Sequence, residues 1–382
     1  VSKLSNIFER WAMMSNKNIK INMLSSIYGR RIHISGFTLI ELLVAAVLSM
    51  IVLVAAGSGF MATQKLSTVA NARLQVQQDL RNATNMIVRD ARMAGFFGCF
   101  NLSKQSVDSK IVLNDYGVHK NNNHASHDRL DDLLYKNEQN QGVKLIPVTD
   151  ARKWLNSNFS FLGNNVLLFT YGVGSGNAKV SGNFFNVNVP QTDELAELSG
   201  HADAPIVVSS CSTLERFSGA RKVYARQQLR VAGIPVPLVD VNNATIFRQS
   251  INVYAVGQPN GGDRGLYLFQ MNADGTFGEP QLLLAGVDSW DIQFGYYASS
   301  PACTEKNNDA KIKFQKAILT GAKAPPPTLL RLKLQGKGVG GDLIAGKNSN
   351  GSASDIQTYY IDATVRAGAF CADRGFQQEV KF

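Results

Sequence analysis

The spacing of apolar positions changes twice in the first hundred residues. Residues 1–36 mix basic, polar and apolar positions without a period. From Phe37 to Phe60 the chain reads FTLIELLVAAVLSMIVLVAAGSGF, 24 residues in which Glu41 is the single charge. A helix rising about 1.5 Å per residue over such a run crosses a hydrocarbon core about 30 Å thick. Beyond it the apolar positions settle into a three-four spacing, Leu66, Val69, Val76, Leu80, Ala83 and Ile87, separated by Gln, Asn, Arg and Asp. That is the pattern of an amphipathic helix with one face on a core. The first proline is Pro147, so nothing forces a stop, and one helix is predicted from about Phe37 to Met93. Gly57-Ser58-Gly59 sets poor helix formers inside it, which suits either a bend or a close contact with another helix.

Residues 101–150 are rich in Asn, Asp, Lys and His and read as a long surface excursion with few strand signals. Past them the period falls to two or to short apolar runs. Val166–Tyr171, Pro205–Ser210, Ile251–Val256, Gly265–Met271, Gln281–Ala285, Leu329–Leu334 and Thr358–Val365 are rich in β-branched and aromatic residues and are predicted strands. Pro259-Asn260-Gly261-Gly262-Asp263 and Asp274-Gly275 are turn sequences that join three of them into a meander. Gly172-Val173-Gly174-Ser175-Gly176 follows a predicted strand and reads as a turn; no Lys-Ser or Lys-Thr follows it, so it is no phosphate loop. The predicted class is α+β, one long helix followed by a mainly antiparallel sheet domain. The expected divisions are a leader over 1–36, a spanning helix over 37–60, its amphipathic continuation over 61–95 and a β-rich domain over 96–382.

Charge orients this arrangement. The formal net charge is +10, and residues 1–36 hold Lys3, Arg10, Lys17, Lys20, Arg30 and Arg31 against Glu9 alone. Basic residues before the apolar run and no comparable cluster after it place the N-terminus in the cytoplasm and the bulk of the chain across the membrane. A cleaved secretory signal is the competing reading, with Ala55-Ala56-Gly57 as its site. Glu41 opposes it, because a carboxylate inside an apolar helix costs roughly 2.5–3.5 kcal/mol on insertion and calls for a partner.

Gly36-Phe37-Thr38-Leu39-Ile40-Glu41, followed by the apolar run, resembles the type IV prepilin motif. In that family a membrane aspartyl peptidase cuts after the glycine and methylates the new N-terminus. The resemblance implies cleavage between Gly36 and Phe37, with Phe37 as the methylated residue. It also implies that the Glu41 carboxylate meets the amine of a neighbouring subunit during assembly, so that two membrane charges offset each other. The bland alternative is a Glu41 that snorkels to the interface. Met23 would open a leader of the usual family length, MLSSIYGRRIHISG. Arg89-Asp90-Ala91-Arg92-Met93-Ala94-Gly95-Phe96-Phe97-Gly98-Cys99 resembles the helix end of PilW-type minor pilins, and Leu282–Tyr297 resembles a sheet segment of the same family. In physical terms Gly95 suits a left-handed cap and Arg92 suits the negative end of the helix dipole.

The resemblance implies a pilin-like fold and a structural role: a minor pilin that helps start or tip a pilus. The implied partners are prepilin peptidase, other minor pilins, the major pilin and the inner-membrane assembly platform. The implied path runs from a single-pass inner-membrane protein with a periplasmic domain to the pilus on the cell surface, with twitching motility and DNA uptake among the associated functions. A type II secretion pseudopilin shares the motif. A tip adhesin or DNA-uptake receptor is the reading of another class, with Arg221, Lys222, Arg226 and Arg230 as its basic patch; an ordinary solvated face is the alternative for that patch.

The remaining chemistry is sparse. Cys99, Cys211, Cys303 and Cys371 form no C-x-x-C pair and all follow the apolar run. In an oxidising compartment they suggest two disulfides, with three pairings open. Cys99–Cys211 with Cys303–Cys371 is preferred, because Cys211 follows a strand that can lie by the helix exit. His124 and His127 flank acids in HASHDRLDD but read as solvated loop residues, so no metal is expected. The chain lacks G-x-S-x-G and H-E-x-x-H, and neither catalytic residues nor a cofactor are predicted.

Overall fold

The computed structural model describes residues 37–102, 110–115, 142–155, 158–181, 184–190, 193–201, 204–218, 221–232, 244–297, 312–319, 326–337 and 356–365. The chain divides into two compact units, one through Gln64 and one from Lys65 onward.

Helix α1 runs over Leu39–Met93, 55 residues. Every residue from Phe37 through Gln64 is exposed. Gly57-Ser58-Gly59 does not interrupt the helix. The Ser58 hydroxyl donates back to the Ala55 carbonyl at 2.8 Å and the Thr63 hydroxyl to the Gly59 carbonyl at 2.9 Å, so the local polar side chains are spent on the helix itself. In the second unit the apolar stripe is buried later than its spacing suggests. Leu66 is 71% exposed, and full burial begins at Ala83 and continues through Ile87, Ala91 and Ala94. Three alanines among those four let the helix lie close to its sheet.

The described strands are β1 (Phe96–Phe97), β2 (Phe100–Asn101), β3 (Lys110–Asp115), β4 (Val143–Pro147), β5 (Phe159–Phe161), β6 (Asn165–Ser181), β7 (Phe184–Asn188), β8 (Ile206–Ser209), β9 (Thr213–Ser218), β10 (Arg221–Ala225), β11 (Gln228–Ala232), β12 (Thr245–Pro259), β13 (Gly265–Gln270), β14 (Gln281–Ala285), β15 (Ser289–Tyr297), β16 (Ile312–Gln315), β17 (Leu329–Lys337) and β18 (Ile356–Thr364). Two single turns of helix, Val148–Ala151 and Glu194–Glu197, lie between them. The layout is α+β and, among the described strands, almost wholly antiparallel, with β3 and β9 as the parallel pair.

A 12-stranded sheet carries the path β10-β11-β7-β6-β12-β8-β9-β3 and branches at its two longest members. β6 pairs with β4 through its first residues and with β7 through its last. β12 pairs with β8 at its start and with β13 and β5 further on. The meander β12-β13-β14 forms as its turn sequences require: Gly262 N–H donates to the Pro259 carbonyl at 3.0 Å, and Gly261 supplies the positive φ of 75°. A second sheet of four strands has the order β16-β15-β17-β18.

Three expectations are corrected. Residues 101–150 contain β3 and β4 as well as the short helix from Val148, because Val143, Leu145 and Ile146 add to the edge of β6. The run Leu282–Tyr297 is two strands in different sheets, separated where Gly286 takes a φ of 76°. Gly172–Gly176 is no turn but the middle of β6. A Cβ at Gly176 would stand 1.9 Å from Val187 Cγ1, and Gly174 has a φ of 62° opposite the register shift between Ile246 and Arg248. The glycines therefore serve a bulge and a tight strand-to-strand approach.

Val166–Tyr171 is buried throughout, and its residues alternate between two cores. Leu167, Phe169 and Tyr171 join Ala83, Ile87, Ala91 and Ala94 of α1 and Phe294, Leu332 and Ile361 of the four-stranded sheet. Val166 and Leu168 join Phe97, Phe247, Val253 and Phe269 in another cluster. That double burial explains why the sequence there is an apolar run rather than an alternation.

Candidate functional site

The chemistry-bearing residues fall in two places, the start of α1 and its end. At the start, Phe37 is 86% exposed; Gly36 lies outside the described residues. Thr38 precedes the first turn and Glu41 stands in it. The Thr38 N–H and hydroxyl both donate to Glu41 Oε2 at 3.3 Å, and the Glu41 N–H donates to Thr38 Oγ1 at 3.3 Å. This is a reciprocal capping box, in which two otherwise orphaned amides of the helix start are satisfied. Its sequence signal, Thr-x-x-Glu, is present in the prepilin-like motif and was not part of the sequence reading. Glu41 thus has a local task at the helix start and keeps Oε1 outside these bonds.

At the other end, α1 presents Asp90 to the sheet. Asp90 is fully buried. Its Oδ1 accepts from the Tyr171 hydroxyl at 2.9 Å, and its Oδ2 accepts from Tyr254 at 2.6 Å and from Asn252 Nδ2 at 2.7 Å. Arg89 Nε and Nη2 each lie 3.2 Å from Oδ1, reaching in from the solvent side. Asn252 also donates to the Tyr171 hydroxyl at 3.1 Å. Register explains the convergence: β6 and β12 pair with Ser250 opposite Tyr171 and Asn252 opposite Phe169, so Tyr171, Asn252 and Tyr254 share the face that meets the helix. Burial first, and then the negative charge of Asp90, push both tyrosine hydroxyls well above their usual range. They stay protonated and remain donors. A buried carboxylate saturated in this way is a fastening point between helix and sheet. Sequence reasoning read Asp90 only as part of a motif; an acid three residues past Ile87 on the apolar stripe was the available signal.

After Asp90 the chain leaves the helix through Gly95, whose φ is 78°. Its N–H donates not back into α1 but to the Thr170 carbonyl of β6 at 2.8 Å, and its carbonyl accepts from Leu102 at 2.9 Å. The left-handed residue therefore ties the helix exit to the sheet. Cys99, in the tight turn between β1 and β2, is bonded to Cys211. The Ser209 hydroxyl donates to the Phe97 carbonyl at 2.7 Å and joins the same two segments. Cys303 and Cys371 lie outside the described residues, as do His124 and His127. Among the described residues no group of three or more His, Cys, Asp or Glu side chains stands close enough to hold a metal ion.

The basic patch changes membership. Arg221, Arg226 and Arg230 are exposed on the β10–β11 hairpin. Lys222 is buried and its Nζ donates to the His201 carbonyl at 3.1 Å, so it faces inward by the alternation of the strand.

Residues 32–57 match a family model described as Prokaryotic N-terminal methylation motif. This is the type IV pilin-like prepilin signal, which marks pilins and pseudopilins for prepilin peptidase. The matched stretch covers the end of the basic segment and the first part of α1, and it does not single out the PilW family. No curated protein and no solved structure matches the chain. The prepilin-type signal, the long apolar helix and the antiparallel domain are together consistent with a pilin-like fold.

Proposed function

We propose that this chain is a minor pilin of a type IV pilus, with a structural role in initiating or capping the filament. The carrying observation is the prepilin-type signal running into the start of α1, with every residue from Phe37 through Gln64 exposed. That much uncovered apolar surface needs a bilayer or neighbouring helices around it. In this reading prepilin peptidase cuts after Gly36, Phe37 becomes the methylated N-terminus, and the Glu41 carboxylate meets the amine of an adjacent subunit. The β-rich domain lies outside the cytoplasm, which suits the solvent-exposed Cys99–Cys211 bond. A domain built on two large sheets suits a tip position better than a repeated shaft position, where its bulk would obstruct helical packing. Its partners are then the other minor pilins, the major pilin and the assembly platform.

The capping box supplies a sharp test. Glutamine serves at the third helical position of such a box nearly as glutamate does, but it carries no charge. In a strain lacking the gene, Glu41→Gln should preserve helix and membrane insertion yet fail to restore surface pili seen by electron microscopy. Restoration by Glu41→Gln and failure by Glu41→Ala would reduce Glu41 to a helix cap. Normal pili with lost enzyme secretion in the deletion strain would move the chain to a secretion pseudopilus.

A further inference from the structure

Several cations at the surface of this protein sit on carboxylates. Arg331 lies 2.8 Å from Asp362, Lys316 lies 3.2 Å from Asp291, and Arg264 lies 3.5 Å from Asp288. The outward face of β7, β10 and β11 instead gathers cations on neighbouring strands with no acid between them. Strand register sets Lys179, Asn186, Arg230 and Val223 in one row across β6, β7, β11 and β10. The outward row on one side holds Phe184, Ala232 and Arg221, and the row on the other side holds Asn188, Gln228 and Ala225. No acid stands in these rows. Lys179, Arg221, Arg226 and Arg230 are exposed, and among the described residues none has a carboxylate partner.

Two further features shape the face. The Arg230 guanidinium lies 4.6 Å from the ring centroid of Phe184, which is 38% exposed. A planar cation thus rests on an aromatic ring at the surface. The hairpin turn is Arg226-Gln227, with φ of 52° and 60°. Both are left-handed positions normally given to Asn and Gly. The turn places Arg226 at the tip of the hairpin, with Arg230 on β11 and Arg221 at the far end of β10, so the cations run along its length at the expense of backbone strain.

We infer that this face binds single-stranded nucleic acid. A cationic track neutralises phosphates, and a flat ring-and-guanidinium platform offers a stacking surface to unpaired bases. The amides of Asn186, Asn188 and Gln228 border the track. An acidic polysaccharide would use the same cations but would gain nothing from the Phe184–Arg230 stack. The inference is independent of how the chain assembles, and Glu41→Gln should leave binding unchanged.

The test uses the full chain in detergent micelles and a fluorescent mixed-sequence single strand of about 20 nucleotides, read by anisotropy. Binding should weaken with salt, and each of Arg221→Gln, Arg226→Gln and Arg230→Gln should flatten the log–log salt slope by about 0.7. All three substituted residues are exposed, so an unchanged circular dichroism spectrum serves as the control for folding. Phe184→Ala should weaken binding about fivefold to hundredfold while leaving that slope alone. Absent binding, or binding that ignores the triple arginine variant, overturns the inference. Equal capture of heparin, with Phe184→Ala silent, also overturns it and leaves a general polyanion surface.

Discussion

A carboxylate shut away from water is tolerated only when its oxygens are saturated, and Asp90 meets that condition with donors from three sheet residues and one helix neighbour. Taking the carboxylate away deprives the buried Tyr171 and Tyr254 hydroxyls of this shared acceptor and leaves Asn252 only its longer bond to Tyr171. Asp90→Ala should therefore destabilise the domain by about 3–5 kcal/mol in urea titration. Tyr254→Phe, which removes a single donor, should cost about 1–3 kcal/mol. The double variant should lose less than the sum, since the two groups share one bond. A strictly additive result would mean that the carboxylate is solvated and the cluster is not a unit. Glu41 presents the opposite case at the same scale: it is exposed, and its side-chain bonds are local to one helical turn.

Among elements, legibility followed the range of the interactions that define them. Helix α1 was readable nearly end to end, because its limits depend on local composition and on the absence of proline. Gln281–Ala285 and the strands around Ile251–Val256 and Leu329–Leu334 were readable from short apolar runs with turn residues between them. The β10–β11 hairpin was not, because Arg226-Gln227 carries none of the glycine or asparagine that marks a two-residue turn. β6 was read too short, because its glycines answer to Phe247 and Val187, which lie far along the chain. The candidate sites divide in the same way. Gly36, Phe37 and Glu41 lie within one six-residue stretch and carry a motif. Asp90 meets Tyr171 at a separation of 81 residues and Tyr254 at 164, and only the β6–β12 register brings those two together.

In the molecule as a whole, one core joins the end of α1 to both larger sheets, and three of its members are tyrosines: Tyr171, Tyr254 and Tyr296. Burial raises all three, with Asp90 adding to the first two, and Tyr296 is pushed up to about 12. An unfolded tyrosine loses its proton near pH 10. The folded state thus holds protons that the unfolded chain releases. The resulting stability is complete below about pH 10 and is lost as pH rises through the folded values. Urea midpoints should fall between about pH 10 and pH 12, and tyrosinate absorbance from these residues should appear only with unfolding. Ionisation of all tyrosines near 10 with undiminished stability would contradict this.

The Cys99–Cys211 bond also has a mechanical meaning. A filament under tension pulls on its subunits through their helices, and here the helix delivers its load to the sheet domain just before Cys99. The bond spans a sequence separation of 112 residues, so force arriving at Cys99 passes directly to Cys211 and leaves the intervening chain slack. At about 3.3–3.6 Å per extended residue, that is roughly 370–400 Å of hidden length. Pulled from its two ends, the protein should extend by that much less than its Cys99→Ser, Cys211→Ser variant, and equal extensions would show that the bond carries no load. About two-fifths of the domain is in this sense stored behind one covalent stop, which fixes how far a strained subunit can pay out.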